Sequence, residues 1–241
     1  MTKNLGGGYN IIEIVTKKQG GTGDKNMKKI ISVLIFVLIF SNQVFAGNTD
    51  IPDDSSNDAV NWCIENNIIT GYGDKINPDE NITRAQLAVM LSKFGGYEYS
   101  GEKVSYSDVS ESDWFYPYAA IMSEKNIMTG SMGKFNPDAA VTREEAIVTI
   151  ARLLNIEENE SYTEEFSDKS EISQWANGYV GGAIKAGIVN SDNETGILRP
   201  KEAIKKKEMA EMIYRSRGIQ AAINNPLLIV DNDGSVWTPI Y

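Results

Sequence analysis

Residues 77–87 read NPDENITRAQL. Thr83 and Gln86 have the spacing of a capping box, which predicts a helix starting at Arg84. Arg84 then lies at the positive end of the helix dipole, where a cation is disfavoured by a few tenths of a kcal/mol, roughly. Residues 136–146, NPDAAVTREEA, repeat the arrangement, with Arg143 directly after Thr142 and Glu145 closing the box. The same locally unfavourable arginine is therefore placed twice at the same point of a repeated unit.

The repeat extends outward from these two helix starts. Residues 53–86 align with 112–145 without gaps at an offset of 59, pairing Asn67-Ile68 with Asn126-Ile127 and Thr70-Gly71 with Thr129-Gly130. A third, weaker copy opens with Phe166-Ser167-Asp168, parallel to Tyr106-Ser107-Asp108, and its Trp175 and Pro200 answer Trp114 and Pro137. Each copy reads as helix, loop, helix. The first helix presents Ala59, Val60 and Cys63, then Tyr118, Ala119 and Met122, then Tyr179, Val180 and Ala183, each set on one helical side. The second presents Leu87, Met90, Leu91 and Phe94, then Ala146, Ile147, Ile150 and Leu153, then Met209, Met212 and Ile213. Between them lies an apolar-x-Pro step: Ile76-Asn77-Pro78, Phe135-Asn136-Pro137 and Leu198-Arg199-Pro200. A two-helix unit cannot bury its apolar side alone, so three copies are expected to pack as one all-α body, a pseudo-threefold helical bundle. The spacer at 156–165, IEENESYTEE, reads as a solvated linker. Residues 227–241 read as two short strands around a turn at Asn232-Asp233-Gly234, either a short β-hairpin tail folding back on the body or the stub of a further module.

Composition narrows the chemistry. The chain has 241 residues and a net charge of −10, with no histidine and a single cysteine, Cys63. That removes the commonest general base and zinc ligand and precludes an intrachain disulfide, so no catalytic residue, metal or cofactor is expected. Cys63 falls on the apolar side of its helix and reads as a small buried residue. Met27-Lys28-Lys29, the apolar run 30–40 and Val44-Phe45-Ala46 form a signal-peptide pattern over 27–46, with cleavage before Gly47. Met27 is the better initiator, so residues 1–26 are expected to be an extension ahead of the true start. Without residues 1–46, 17 basic and 31 acidic residues remain, a net charge of −14. Such a chain binds neither nucleic acid nor an anionic membrane through its overall field.

The stretch YSDVSESDWFYPYAAIMSEKNIMTGSMGKFNPDAAVTREEAIVTIARLL, residues 106–154, resembles an S-layer homology (SLH) domain. It has the aromatic-x-Asp opening, the tryptophan, the glycine after an apolar step, the Phe-x-Pro loop and the Thr-Arg helix start. With the other copies the resemblance covers 50–98, 106–156 and 166–217, followed by the tail at 218–241. It implies three tandem repeats in a secreted, cell-wall-associated protein of a Gram-positive cell surface, or S-layer. It also implies non-covalent binding of secondary cell-wall polysaccharide, often through a pyruvylated sugar, in grooves between repeats. The positions that match the family's groove are Arg84, Arg143, Asp108, Asp168, Trp114, Trp175, Gly71 and Gly130, with Lys206 at the third helix start. The copies depart from one another: Thr49 and Ser55 stand where copy two has Asp108 and Trp114, Ser191 replaces the glycine, and Lys205-Lys206-Lys207-Glu208 replaces Thr-Arg-x-Glu. The groove using Arg143 is therefore the best supported. The expected mechanism has the helix-start amides and guanidinium holding a carboxylate together.

Several positions keep a structural alternative. Trp114 and Trp175 suit core packing or sugar stacking, Asp108 and Asp168 could cap a turn, and Gly71 and Gly130 read as positive-φ turn residues, with close ligand approach as a secondary role. The alternative function is a structural or self-associating scaffold that displays its tail to a partner.

Overall fold

In the computed structural model the described residues are 48–164, 166–190, 196–225, 229–230 and 236–237. The signal-peptide pattern and the preceding extension lie outside them. Repeat one supplies α1 (Asn57–Glu65) and α2 (Arg84–Gly95), repeat two α3 (Tyr116–Glu124) and α4 (Arg143–Leu153), and repeat three α5 (Gln174–Lys185) and α6 (Lys206–Asn224). Both Thr-led helices start where the capping box predicts. Gln86 N–H donates to Thr83 Oγ1 at 3.3 Å while Thr83 N–H donates to Gln86 Oε1 at 2.9 Å, and Thr142 and Glu145 form the same pair. Lys205 has no acceptor to offer, so α6 keeps half the box, Lys205 N–H to Glu208 Oε2 at 2.9 Å.

The second helix of each repeat packs on the first helix of the next: α2 on α3, α4 on α5 and α6 on α1. The last contact closes the series into a ring. At its centre the residues preceding the three helix caps form a closed triangle of backbone hydrogen bonds. Ile82 N–H donates to Ile204 O at 3.1 Å, Ile204 N–H to Val141 O at 2.9 Å and Val141 N–H to Ile82 O at 3.1 Å. All three side chains are fully buried, so the triangle satisfies backbone groups that water cannot reach. Around it lies one continuous apolar cluster that includes every residue of the predicted second-helix stripes. Tyr118 and Tyr179 of the first-helix stripes are only partly buried and pack against it. Lys207 of α6 clamps the ring closure, bridging Asp54 at 2.8 Å and Asp79 at 2.9 Å in repeat one. Cys63 is buried, and burial pushes its thiol up to about 12.

Over its described residues, 156–164, the spacer is not a solvated linker. Asn159 N–H donates to Gly178 O at 2.8 Å, Thr163 is buried, and its hydroxyl donates to Asn177 Oδ1 at 3.0 Å. The spacer lies against the glycine side of α5, where a Cβ on Gly181 would come within 1.8 Å of Asn159 O. The acidic composition that suggested solvation hides a backbone contact made possible by three glycines. In the tail, β1 (Ile229–Val230) pairs antiparallel with β2 (Val236–Trp237), Ile229 opposite Trp237 and Val230 opposite Val236. The turn between them lies outside the described residues.

Candidate functional site

The arginine after each cap reaches across to the next repeat. Arg84 Nε donates to Phe135 O at 2.8 Å and its Nη2 to Thr129 O at 3.2 Å, and Arg143 Nε donates to Leu198 O at 2.9 Å. Lys206 Nζ donates to Ile76 O, completing the cycle. Phe135, Leu198 and Ile76 are each the apolar residue of an apolar-x-Pro loop. The other end of that residue is held within its own repeat by a carboxylate. Asp108 accepts from Phe135 N–H and Asn136 N–H, both at 2.8 Å, and Asp168 accepts from Leu198 N–H and Arg199 N–H at 2.9 and 2.7 Å. In repeat one the carboxylate is Asp50, on Ile76 N–H and Asn77 N–H at 2.8 and 2.7 Å. Asp50, not Thr49, is therefore the equivalent of Asp108; one residue has been lost between the opening and the loop, and the ungapped alignment missed it. The residue after each apolar step takes the left-handed conformation, with φ of 52° at Asn77, 56° at Asn136 and 58° at Arg199. Its own amide and that of the apolar residue before it point together, and a single carboxylate spans them.

The helix-start amides are not free to hold an anion. Arg84 N–H donates to Ala139 O and Ala85 N–H to Pro137 O, and the third amide is on the Thr83 hydroxyl. The pattern recurs with Arg143 N–H on Glu202 O and Glu144 N–H on Pro200 O, and with Lys206 N–H on Glu80 O and Lys207 N–H on Pro78 O. The joint amide-and-guanidinium mechanism is thus corrected: the loop of the next repeat caps the dipole, and only side-chain donors face outward. Gly71 and Gly130 are corrected likewise. The positive φ belongs to Gly73 and Gly133, whereas a Cβ on Gly71 or Gly130 would lie 2.2 or 2.3 Å from the carbonyl oxygen of Lys75 or Lys134.

Three grooves follow the pseudo-threefold, and they differ. The groove at Arg84 has a volume of about 530 Å³ and draws on all three repeats: Arg84 from the first, Thr129, Ser131 and Arg152 from the second, and Trp175 from the third. The groove at Lys206 is about 130 Å³, lined by Thr70, Gln86 and Trp114 among others. Trp114 and Trp175 are 64% and 53% exposed, so neither is a core residue. The third position has Ser55 where the tryptophan would stand, in a depression shared with Glu211 and Arg215. Here Arg143 is only 8% exposed and pairs with Glu208 at 3.2 Å, while Arg199 holds the same Glu208 oxygen at 2.7 Å. Burial pushes the Arg143 guanidinium below its ordinary value, with Glu208 opposing that shift. Burial likewise lowers the Lys206 ammonium. Among the described residues, the open groove whose guanidinium has no ion pair, with a tight glycine loop and an exposed tryptophan, is the one at Arg84, not the one at Arg143. Sequence spacing alone could not show that Glu208 closes the cap of α6 and also meets Arg143.

Among the described residues no cluster of acidic or cysteine side chains has the form of a metal site, and no helix is long and apolar enough to cross a membrane. The family model for the S-layer homology domain matches residues 49–88, 105–147 and 165–210, more than half of the chain. The chain is similar to the "Cellulosome-anchoring protein" of Acetivibrio thermocellus, 32% identical over 157 residues, which are 61% of this chain and 35% of that protein. It is 28% identical over 163 residues to the "Surface-layer 125 kDa protein" of Lysinibacillus sphaericus, covering 66% of this chain and 14% of the other. It is also 28% identical over 172 residues to "Exoglucanase XynX" of Acetivibrio thermocellus, covering 68% and 16%. The chain spans only a small part of the length of these relatives.

Proposed function

The chain belongs to the S-layer homology domain family, and from that premise we propose that it is a non-covalent anchor that binds an acidic secondary cell-wall polysaccharide in the groove at Arg84. It is a cell-surface protein, as the family and the surface-layer and anchoring names among its relatives imply. The observation that carries the reading is the state of the Arg84 guanidinium. Two of its donors are on Phe135 O and Thr129 O; an arginine has five, so three have no protein acceptor among the described residues, and the side chain lines an open groove. Those three suit a carboxylate such as that of a pyruvylated sugar, and Trp175 offers the apolar face on which a sugar ring stacks. Phe135 lies beneath the guanidinium, 5.3 Å from its carbon, and holds the plane in place. Trp114 beside Lys206 forms a second, narrower groove of the same kind. The exoglucanase activity in one relative's name belongs to a protein of which this chain matches 16%, and no catalytic step is proposed here.

Co-sedimentation tests the anchor. The full chain is expected to pellet with wall sacculi that retain their polysaccharide and to stay soluble with sacculi stripped of it. Arg84→Ala is expected to lose most of this binding, about tenfold or more in affinity for a charge-assisted contact. Unchanged pelleting of Arg84→Ala would refute the groove assignment.

A further inference from the structure

We propose that the Arg84 groove continues past Arg152 into a second saccharide subsite, formed by Lys125, Asn126, Asn155 and Tyr179, that takes a neighbouring acidic unit of the same polymer. The proposal rests on the polysaccharide reading above.

Arg152 lines two depressions, the 530 Å³ groove at Arg84 and an adjoining one of about 450 Å³ between repeats two and three. Both fall in the size range of small-ligand clefts. Arg152 stands in the last turn of α4, where the dipole favours its charge, and its guanidinium carbon lies 5.3 Å from the centre of the Tyr179 ring. Lys125 lies on the same rim with its ammonium 4.4 Å from the Tyr97 ring centre. Neither cation forms an ion pair among the described residues, and Glu157, on that rim, is outside ion-pair distance of both. Arg143, Arg199 and Arg215, by contrast, all meet carboxylates.

The pseudo-threefold supplies an internal control. Lys93 is the equivalent of Arg152 in repeat one, and burial lowers its ammonium. Arg215 is the equivalent in repeat three and pairs with Glu211. Of these three cations, Arg152 is the one that lines both of these depressions. The exposed amides of Asn126 and Asn155, both at left-handed turns with φ of 54° and 52°, supply paired donors and acceptors of the kind that read sugar hydroxyls. A polymer bound at Arg84 by one carboxylate would meet the second cation further along the same groove, and the two contacts on one chain add through effective concentration.

Calorimetric titration of the full chain with purified wall polysaccharide, and with its single-repeating-unit fragment, tests this. The wild type is expected to bind the polymer about tenfold tighter than the fragment, per site, if the second contact is one charge-assisted pair. Arg152→Ala should remove most of that difference. Lys125→Ala, at an exposed position with little bearing on folding, should remove part of it. If both variants bind the polymer as the wild type does while Arg84→Ala has lost binding, the second subsite is overturned and the anchor reading stands. If Arg152→Ala weakens fragment and polymer equally, Arg152 belongs to the first site and the extension is overturned. If the wild type binds neither ligand, the anchor reading fails and the extension with it.

Discussion

The arginine after the cap shows how one residue type serves two ends in different copies. At Arg84 and Arg143 the Nε–H goes to the carbonyl of the neighbouring loop, so the unfavourable dipole position is offset by a cross-repeat hydrogen bond. What remains of the guanidinium then diverges. Arg84 keeps its outer edge for the groove, whereas Arg143 is turned onto Glu208 and buried. Arg143→Ala is therefore expected to lower stability by about 2–4 kcal/mol, because it takes from a largely buried carboxylate one of the two guanidinium groups that face it, while wall binding is retained. Urea unfolding and co-sedimentation of the same variant check both halves. A variant that keeps its stability and loses binding would reverse the roles of the two arginines.

At the scale of the element, the unit of design is the loop between the two helices of a repeat. Its apolar residue is held by a carboxylate at the N–H and by the previous repeat's cation at the C=O. Asp108→Ala would strand the amides of Phe135 and Asn136 and is expected to cost about 1–3 kcal/mol, read by thermal or urea unfolding. Burial alone would raise the Asp108 and Asp50 carboxyls, but the two backbone N–H groups on each outweigh it and hold both below the ordinary value. With folded values below the unfolded value near 3.9, roughly, their stabilisation is complete above that pH and fades as pH falls through the folded values. Acid titration of Asp108→Ala should accordingly show a shallower loss of stability below about pH 4 than the wild type. Much of this element was legible in sequence: the capping boxes, the apolar stripes and the repeated Asn-Pro step all reflect local rules of spacing. What escaped were contacts between copies. Asp50 was hidden by a one-residue register change that no local rule penalises. The need for glycine at 71 and 130 comes from a carbonyl four residues on, and the openness of each groove depends on what the next helix places opposite the cation.

At the scale of the molecule, the repeats form a ring where a linear solenoid would leave two ends. In a solenoid each unit touches only its sequence neighbours, and terminal units fray independently. Here α6 packs on α1, Lys207 bridges to Asp54 and Asp79, and Ile82, Val141 and Ile204 share one triangle of backbone hydrogen bonds. Removing support from any corner therefore weakens all three repeats. Ile204→Ala truncates a fully buried side chain and should cost about 2–4 kcal/mol. The ring predicts that this loss appears as one displaced transition of unchanged steepness, the same by circular dichroism and by tryptophan fluorescence, to which Trp62, Trp114 and Trp175 contribute from the three repeats. An independent third repeat would instead melt first, giving a biphasic curve in which the two probes separate. A single transition also bears on the groove at Arg84, which takes its cation, its loop and its tryptophan from three different repeats. Such a site exists only while the ring is closed, so binding and global unfolding should be lost at the same denaturant concentration.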